Sequence, residues 1–139
     1  MKPSLKPGLT FSKTIPVDEA RCIGFMGKEG MVYATPRMVS DVEYACRDWL
    51  VGHLDAGEDS VGTHVSIDHL AATLLGMEVE VSVSVAEVKG RAVTFAVEAH
   101  DGIDAVCRGK HMRFIVDVKQ TEARLAAKAG KAREQKKLA

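Results

Sequence analysis

The run from Val32 to Leu54, VYATPRMVSDVEYACRDWLVGHL, constrains this chain more than any other stretch. Apolar residues recur at helical spacing: Met38, Val42, Ala45, Cys46, Trp49 and Leu50, with Val39 and Leu54 beside them. That spacing predicts one long, largely buried helix from about Pro36 to Leu54. Thr35 is expected to cap it, with Pro36 at the first helical position, where a missing N–H costs nothing. The glycine-bearing DAGEDS loop ends the run. Glu43 lies at the margin of the apolar stripe, and a carboxylate there is costly unless it is paired or useful.

Strands surround this helix in the sequence. Leu9, Phe11 and Ile15 suggest a first strand over about Thr10 to Val17. Glycines at 24, 27 and 30 then make a regular element implausible over residues 18 to 31, and the reading there is a mobile flap. After the helix, Ser60 to His69 alternates, with Val61, Thr63, Val65 and Ile67 set against Gly62, His64, Ser66 and Asp68. MEVEVSVSVAEV, Met77 to Val88, alternates most regularly and predicts a strand with one wet and one dry face. Lys89-Gly90 and Asp101-Gly102 are turns, and Ala92 to His100 and Ala105 to Val118 close an antiparallel meander. A sheet that wraps one helix explains why the helix is so apolar. The tail from Thr121, rich in Ala, Lys, Arg and Glu, reads as an exposed helix weakened by Gly130.

A length of 139 residues suits one domain, read as residues 1–120, with a basic helical tail over 121–139. Lys plus Arg number 19 and Asp plus Glu number 19, a balance that argues against bulk binding of nucleic acid. Cys22, Cys46 and Cys107 form no CxxC pair, which offers no zinc framework and fits a reducing cytoplasm. MKPSLKPGL has no apolar core of signal-peptide length, and no apolar run approaches the ~20 residues a membrane span needs. The expected location is therefore cytoplasmic, with no membrane and no nucleic-acid partner.

The order of elements is that of the hotdog fold, an α+β architecture in which a curved antiparallel sheet wraps one long central helix. Four segments narrow it further: VYATPRMVSDVEYAC, EDSVGTHVSIDHLAAT, AHDG and HMRF. Together they resemble the fluoroacetyl-CoA thioesterase group of hotdog proteins, over roughly residues 30 to 118. The resemblance implies a catalytic set of Thr35, Glu43 and His69, and implies that Gly62 and Arg113 contact the acyl end of the substrate. It implies a homodimer, with dimers able to pair into a tetramer, and no cofactor beyond the CoA that is part of the substrate. GFMGKEGM, with only Phe25, is shorter than the phenylalanine-bearing lid of the group's specialist. The resemblance therefore implies hydrolysis of a short or medium acyl-CoA and not fluoroacetate specificity.

These residue types suit the chemistry. Thioester hydrolysis needs an activated nucleophile or water, a proton carrier and oxyanion donors. A histidine moves protons near neutral pH, and a carboxylate can orient its ring. Each residue also has a plainer reading. Thr35 alone is a helix cap, Glu43 an ion pair with Arg47 one turn on, and His69 a strand-end histidine. Thr35 and Glu43 are separated by about 12 Å of helix, so His69 or a water has to bridge them, or two chains must combine. Thr35 is either a covalent nucleophile or the group that positions water. Arg113 holds a CoA phosphate, holds the acyl carbonyl, or faces solvent. A metal site from His64, Asp68 and His69 is disfavoured because adjacent strand residues face opposite ways, so no metal is expected. The rivals are an acyl-CoA-binding hotdog protein without turnover, a hotdog dehydratase, and a nucleic-acid module using the basic tail.

Overall fold

A computed structural model describes residues 1–138, so residue 139, the last of the expected tail, lies outside the described residues. The strands are β1 (Thr10–Pro16), β2 (Glu58–His69), β3 (Glu78–Lys89), β4 (Ala92–His100) and β5 (Ala105–Asp117). The helices are α1 (Thr35–Val51) and α2 (Val118–Leu138). The strands form one antiparallel sheet in the order β1-β3-β4-β5-β2. The flap holds two single 3-10 turns, Glu19–Arg21 and Lys28–Gly30, and an isolated antiparallel bridge from Cys22 to Tyr33.

The core is the interface between α1 and the sheet. Met38, Val42, Ala45, Cys46 and Leu50 bury the stripe of α1. They meet Val79, Val81, Val83 and Val85 of β3 and Val93, Phe95 and Val97 of β4. Full burial of side chains this size stabilises by about 1.5–3 kcal/mol each. Trp49 stacks on Phe11 at 4.8 Å between centroids and meets the edge of Phe95 at 6.0 Å, which ties α1 to β1 and β4.

The fold corrects the sequence reading in four places. The helix stops at Val51 rather than Leu54, because His53 and Leu54 donate to Leu50 and Val51 in a tightened last turn. Thr35 is not the cap. Ala34 holds that position and Thr35 is itself the first helical residue, its hydroxyl engaged elsewhere. The strand β2 does not neighbour β3 but crosses to the far edge beside β5. Finally, a bulge between Gly62 and His64 breaks the alternation read for β2. Gly62, before the bulge, keeps the inward parity of Ser60 and faces Glu43, which leaves Val61 43 % exposed. Beyond the bulge the parity changes, and Val65, Ile67 and His69 pair with His111, Gly109 and Cys107.

Two close approaches fix β2 in place. A Cβ on Gly109 of β5 would lie 2.0 Å from the Ser66 carbonyl oxygen, so only glycine lets these strands pair here. Arg47 of α1 donates from Nε to Asp59 Oδ1 at 3.0 Å, and so pins the start of β2 to the helix. The outer edge of β2 carries no partner strand among the described residues. Among those residues, too, no helix is long and apolar enough to cross a membrane.

Candidate active site

The entry to α1 is held from three sides. The Tyr33 amide donates to the Thr73 carbonyl at 2.8 Å, and the Ala34 amide to the Arg21 carbonyl at 2.8 Å. The buried Tyr33 hydroxyl donates to Asp41 Oδ2 at 2.5 Å, and Arg21 clamps the same carboxylate through Nε at 3.0 Å and Nη2 at 3.3 Å. Burial, and then the Asp41 carboxylate, push the Tyr33 phenol well above its ordinary range, so it stays a donor. Thr35 thus leaves a rigid turn with its hydroxyl aimed at the end of β2.

There it meets His69. Thr35 Oγ1 lies 2.8 Å from His69 Nδ1, and the Tyr33 ring stands edge-on to the imidazole at 6.3 Å. Burial lowers the His69 pKa, against a smaller opposing pull from the Ala71 backbone. The ring is therefore a neutral base at neutral pH. The hydroxyl can donate to Nδ1 only in the tautomer that carries its proton on Nε2. That Nε2 is buried and has no hydrogen bond of normal geometry.

A second cluster forms along α1. Glu43 Oε1, His111 Cε1 and Arg113 Nη1 surround Gly62 so closely that a Cβ there would lie 3.1, 3.3 and 3.4 Å from them. Arg113, only 7 % exposed, donates from Nε to Ser60 Oγ at 2.7 Å and from Nη2 to the Ser60 carbonyl at 2.8 Å. Its Nη1 is 3.2 Å from His111 Nε2, while His111 Nδ1 donates to the His64 carbonyl at 2.8 Å. His111 is thereby fixed in its Nδ1–H form, and burial lowers its pKa. Among the described residues Arg113 makes no salt bridge, and burial also pulls its pKa down. A buried cation with spare donors calls for an electron-rich ligand. This cradle forms the floor of a cavity of about 680 Å³ between α1, β2 and α2.

Thr35 and His69 are therefore brought together, as are Glu43, Gly62 and Arg113, but the two groups do not meet within one chain. Gly62 and His69 stand about 23 Å apart along β2, and Thr35 and Glu43 about 12 Å apart along α1. The expected Glu43–Arg47 pair is absent, because Arg47 turns to Asp59 and Asp48 instead. Arg113 is buried rather than facing solvent, and it lines the cavity. Sequence reasoning missed His111 and Ser60. The signal lay in HMRF, where His111 and Arg113 share the inward parity of β5. Cys46 and Cys107 are no rivals as nucleophiles, because burial pushes their thiols up to about 12 and about 11.

Residues 17–119 match the family described as fluoroacetyl-CoA-specific thioesterase. Over 97 residues, 70 % of each chain, the sequence is 36 % identical to a fluoroacetyl-CoA thioesterase of Streptantibioticus cattleyicolor. The crystal structure of a point mutant of the fluoroacetyl-CoA-specific thioesterase FlK aligns with a TM-score of 0.83 at 29 % identity, covering 91 % of this chain and 99 % of that one. A thioesterase-superfamily protein of Thermus thermophilus aligns with a TM-score of 0.85 at 26 % identity, covering 95 % and 98 %.

Proposed function

The chain belongs to the fluoroacetyl-CoA-specific thioesterase family and is an acyl-CoA thioesterase of the hotdog fold, and on that premise we propose how it hydrolyses its substrate. The observation that carries the reading is the 2.8 Å contact between Thr35 Oγ1 and His69 Nδ1, with His69 Nε2 buried and unpartnered. Thr35 is the nucleophile. Its oxygen bonds to the thioester carbon as His69 Nδ1 takes the hydroxyl proton. The C–S bond then breaks and the imidazolium returns that proton to the departing CoA sulfur. Water, activated by the same imidazole, cleaves the acyl-threonine to the free acid. The positive end of the α1 dipole favours the oxyanion that develops beside Thr35. These steps call on side chains and water only.

Glu43 completes the set from a second copy of the chain. The unpaired edge of β2 can pair antiparallel with itself about its middle, as two-fold symmetry requires. That pairing sets the Gly62 end of one protomer against the His69 end of the other. Glu43 of the second chain is then set beside the Thr35–His69 pair, and Arg113 and Gly62 of that chain hold the acyl end. A homodimer is the minimal active unit in this reading, with residues 1–120 as the catalytic domain and 121–139 as its tail, working in the cytoplasm on short or medium acyl-CoA.

The test is a thiol-release assay over an acyl-CoA panel on wild type, Thr35→Ala and His69→Ala, with intact-protein mass spectrometry after rapid quench. An acyl adduct on Thr35 and loss of turnover in both variants are expected. Undiminished turnover by His69→Ala would sink the assignment, and absence of any adduct under single-turnover conditions would reduce Thr35 to positioning water.

A further inference from the structure

We infer that α2 is the arm that binds the phosphates of the substrate's nucleotide, with Lys128, Arg133 and Lys136 as its contacts. The inference rests on the acyl-CoA thioesterase reading and reaches beyond the family match, which ends at residue 119 as α2 begins.

Charge is the first observation. The chain as a whole is neutral, but α2 holds seven Lys or Arg against two acids, Glu122 and Glu134. The remaining residues hold twelve cations against seventeen anions. The body is therefore acidic, while its substrate carries a pyrophosphate and a 3′-phosphate. An acidic body repels such a ligand unless cations are placed along its approach. Among the described residues no cation of α2 is paired in a salt bridge. Lys128, Arg133 and Lys136 are all exposed.

Placement is the second observation. Val118, Thr121, Glu122 and Leu125 of α2 line the cavity whose floor is Glu43, Gly62 and Arg113. Helical spacing carries that same face outward from Leu125 through Lys128, Ala129, Ala132 and Arg133 to Lys136. The face changes from mixed beside the cavity, with Val118 and Leu125 next to Thr121 and Glu122, to cationic beyond it, over about 16 Å from Leu125 to Lys136. An acyl-CoA has the matching order. Its acyl and thioester end is uncharged, and its anionic charge sits at the far end of the pantetheine arm. The small Ala129 and Ala132 leave the cations open to a ligand lying along the helix.

The experiment uses the full chain with Lys128→Gln, Arg133→Gln and Lys136→Gln combined, all at exposed positions away from the catalytic groups. The same acyl group is offered on CoA and on pantetheine, which lacks the nucleotide. At low ionic strength, KM for the acyl-CoA should rise about tenfold with kcat unchanged, while KM for the acyl-pantetheine stays constant. Added salt should raise the wild-type KM for the acyl-CoA alone. Calorimetric titration with CoA reads the same site without turnover, and the affinity should weaken about tenfold in the triple variant. An unchanged CoA affinity, or an equal rise in both KM values, overturns the role of α2. If wild type cleaves neither thioester, the thioesterase reading fails instead, and the titration still decides whether α2 binds CoA.

Discussion

The two ends of β2 do opposite things. At its end, His69 meets Thr35 in a finished donor–acceptor pair that lacks an acceptor for Nε2. Near its start, Gly62 sits among Glu43, His111 and Arg113, where a carboxylate and a buried cation lie close but no nucleophile does. In the proposed reading, one end has the nucleophile and its base, and the other has the carboxylate and the cradle for the acyl group. Each end supplies what the other is missing, and α1 and β2 are too long for the two to meet in one protomer. An incomplete site at each end of an unpaired strand is what two-fold pairing would complete.

The largest effects should come from breaking the His69 end. Thr35→Ala should lower kcat on the order of 10³-fold, with KM for acyl-CoA little changed. A fall in kcat below tenfold, measured by thiol release, would remove Thr35 from the chemistry. Mixing variants sharpens the comparison further. His69→Ala and Glu43→Gln homodimers should each be nearly inactive. A mixed dimer of the two, purified through different tags, carries one site with both lesions and one with neither. It should recover about half of wild-type turnover. If each chain completed its own site, the mixed dimer would stay inactive.

Breaking the Gly62 end should have a moderate effect. In Gly62→Ala the new methyl meets the Glu43 carboxylate, the His111 ring and the Arg113 guanidinium at 3.1–3.4 Å. All three are side-chain ends that can shift, so the fold should survive while the cradle loses its shape. KM should rise about tenfold and kcat fall less, since the hydroxyl and base are untouched. An unchanged KM would mean that the acyl end does not bind there.

The pH profile separates the ends without mutation. Burial is the main cause lowering the pKa of both His69 and His111. The acid limb of kcat/KM, which reports the base His69, should inflect below the ordinary histidine value of about 6.5. An inflection above it would contradict a buried neutral base. Stability follows the same sign. Because the folded-state values are depressed, the contribution of the neutral rings is complete above the unfolded pKa and is lost as pH falls through the folded ones. The melting temperature should therefore decline on acidification below about pH 6.5.

The sequence made some of this legible for physical reasons. The stripe of α1 and the alternation of β3 follow from burial on one face, which local spacing records directly. Thr35, Glu43 and His69 could be singled out by chemistry and resemblance. What remained hidden was whatever depends on long-range pairing. The bulge after Gly62 reverses the parity of β2 with no proline or glycine pair to mark it. The move of β2 to the far edge is set by its pairing with β5, about fifty residues later in the chain. That Arg113 is buried follows from the core-facing parity of β5, which overrides the usual preference of arginine for water. The Thr35 cap and the Glu43–Arg47 pair were reasonable local bonds, displaced by His69 and Asp59 at greater sequence distance.

The smallest effect distinguishes the two ends by how their helix is anchored. Each end has an Arg–Asp clamp onto α1: Arg21–Asp41 beside Thr35, and Arg47–Asp59 beside Glu43. The first pair is 28 % and 15 % exposed and also receives the Tyr33 hydroxyl; the second is 41 % and 30 % exposed. Water screens the second more, so Asp59→Asn should cost only about 0.5 kcal/mol of stability and leave kcat nearly intact. Asp41→Asn weakens two charge-assisted bonds on a better buried carboxylate and should cost about 1–2 kcal/mol. Because Tyr33 also packs against the His69 ring, Asp41→Asn should lower kcat as well, by freeing the turn that aims Thr35. Denaturant titrations and kcat on the two variants check this. Equal costs, or a kcat that responds to Asp59 and not to Asp41, would show that the Thr35 end is not the more rigidly held of the two.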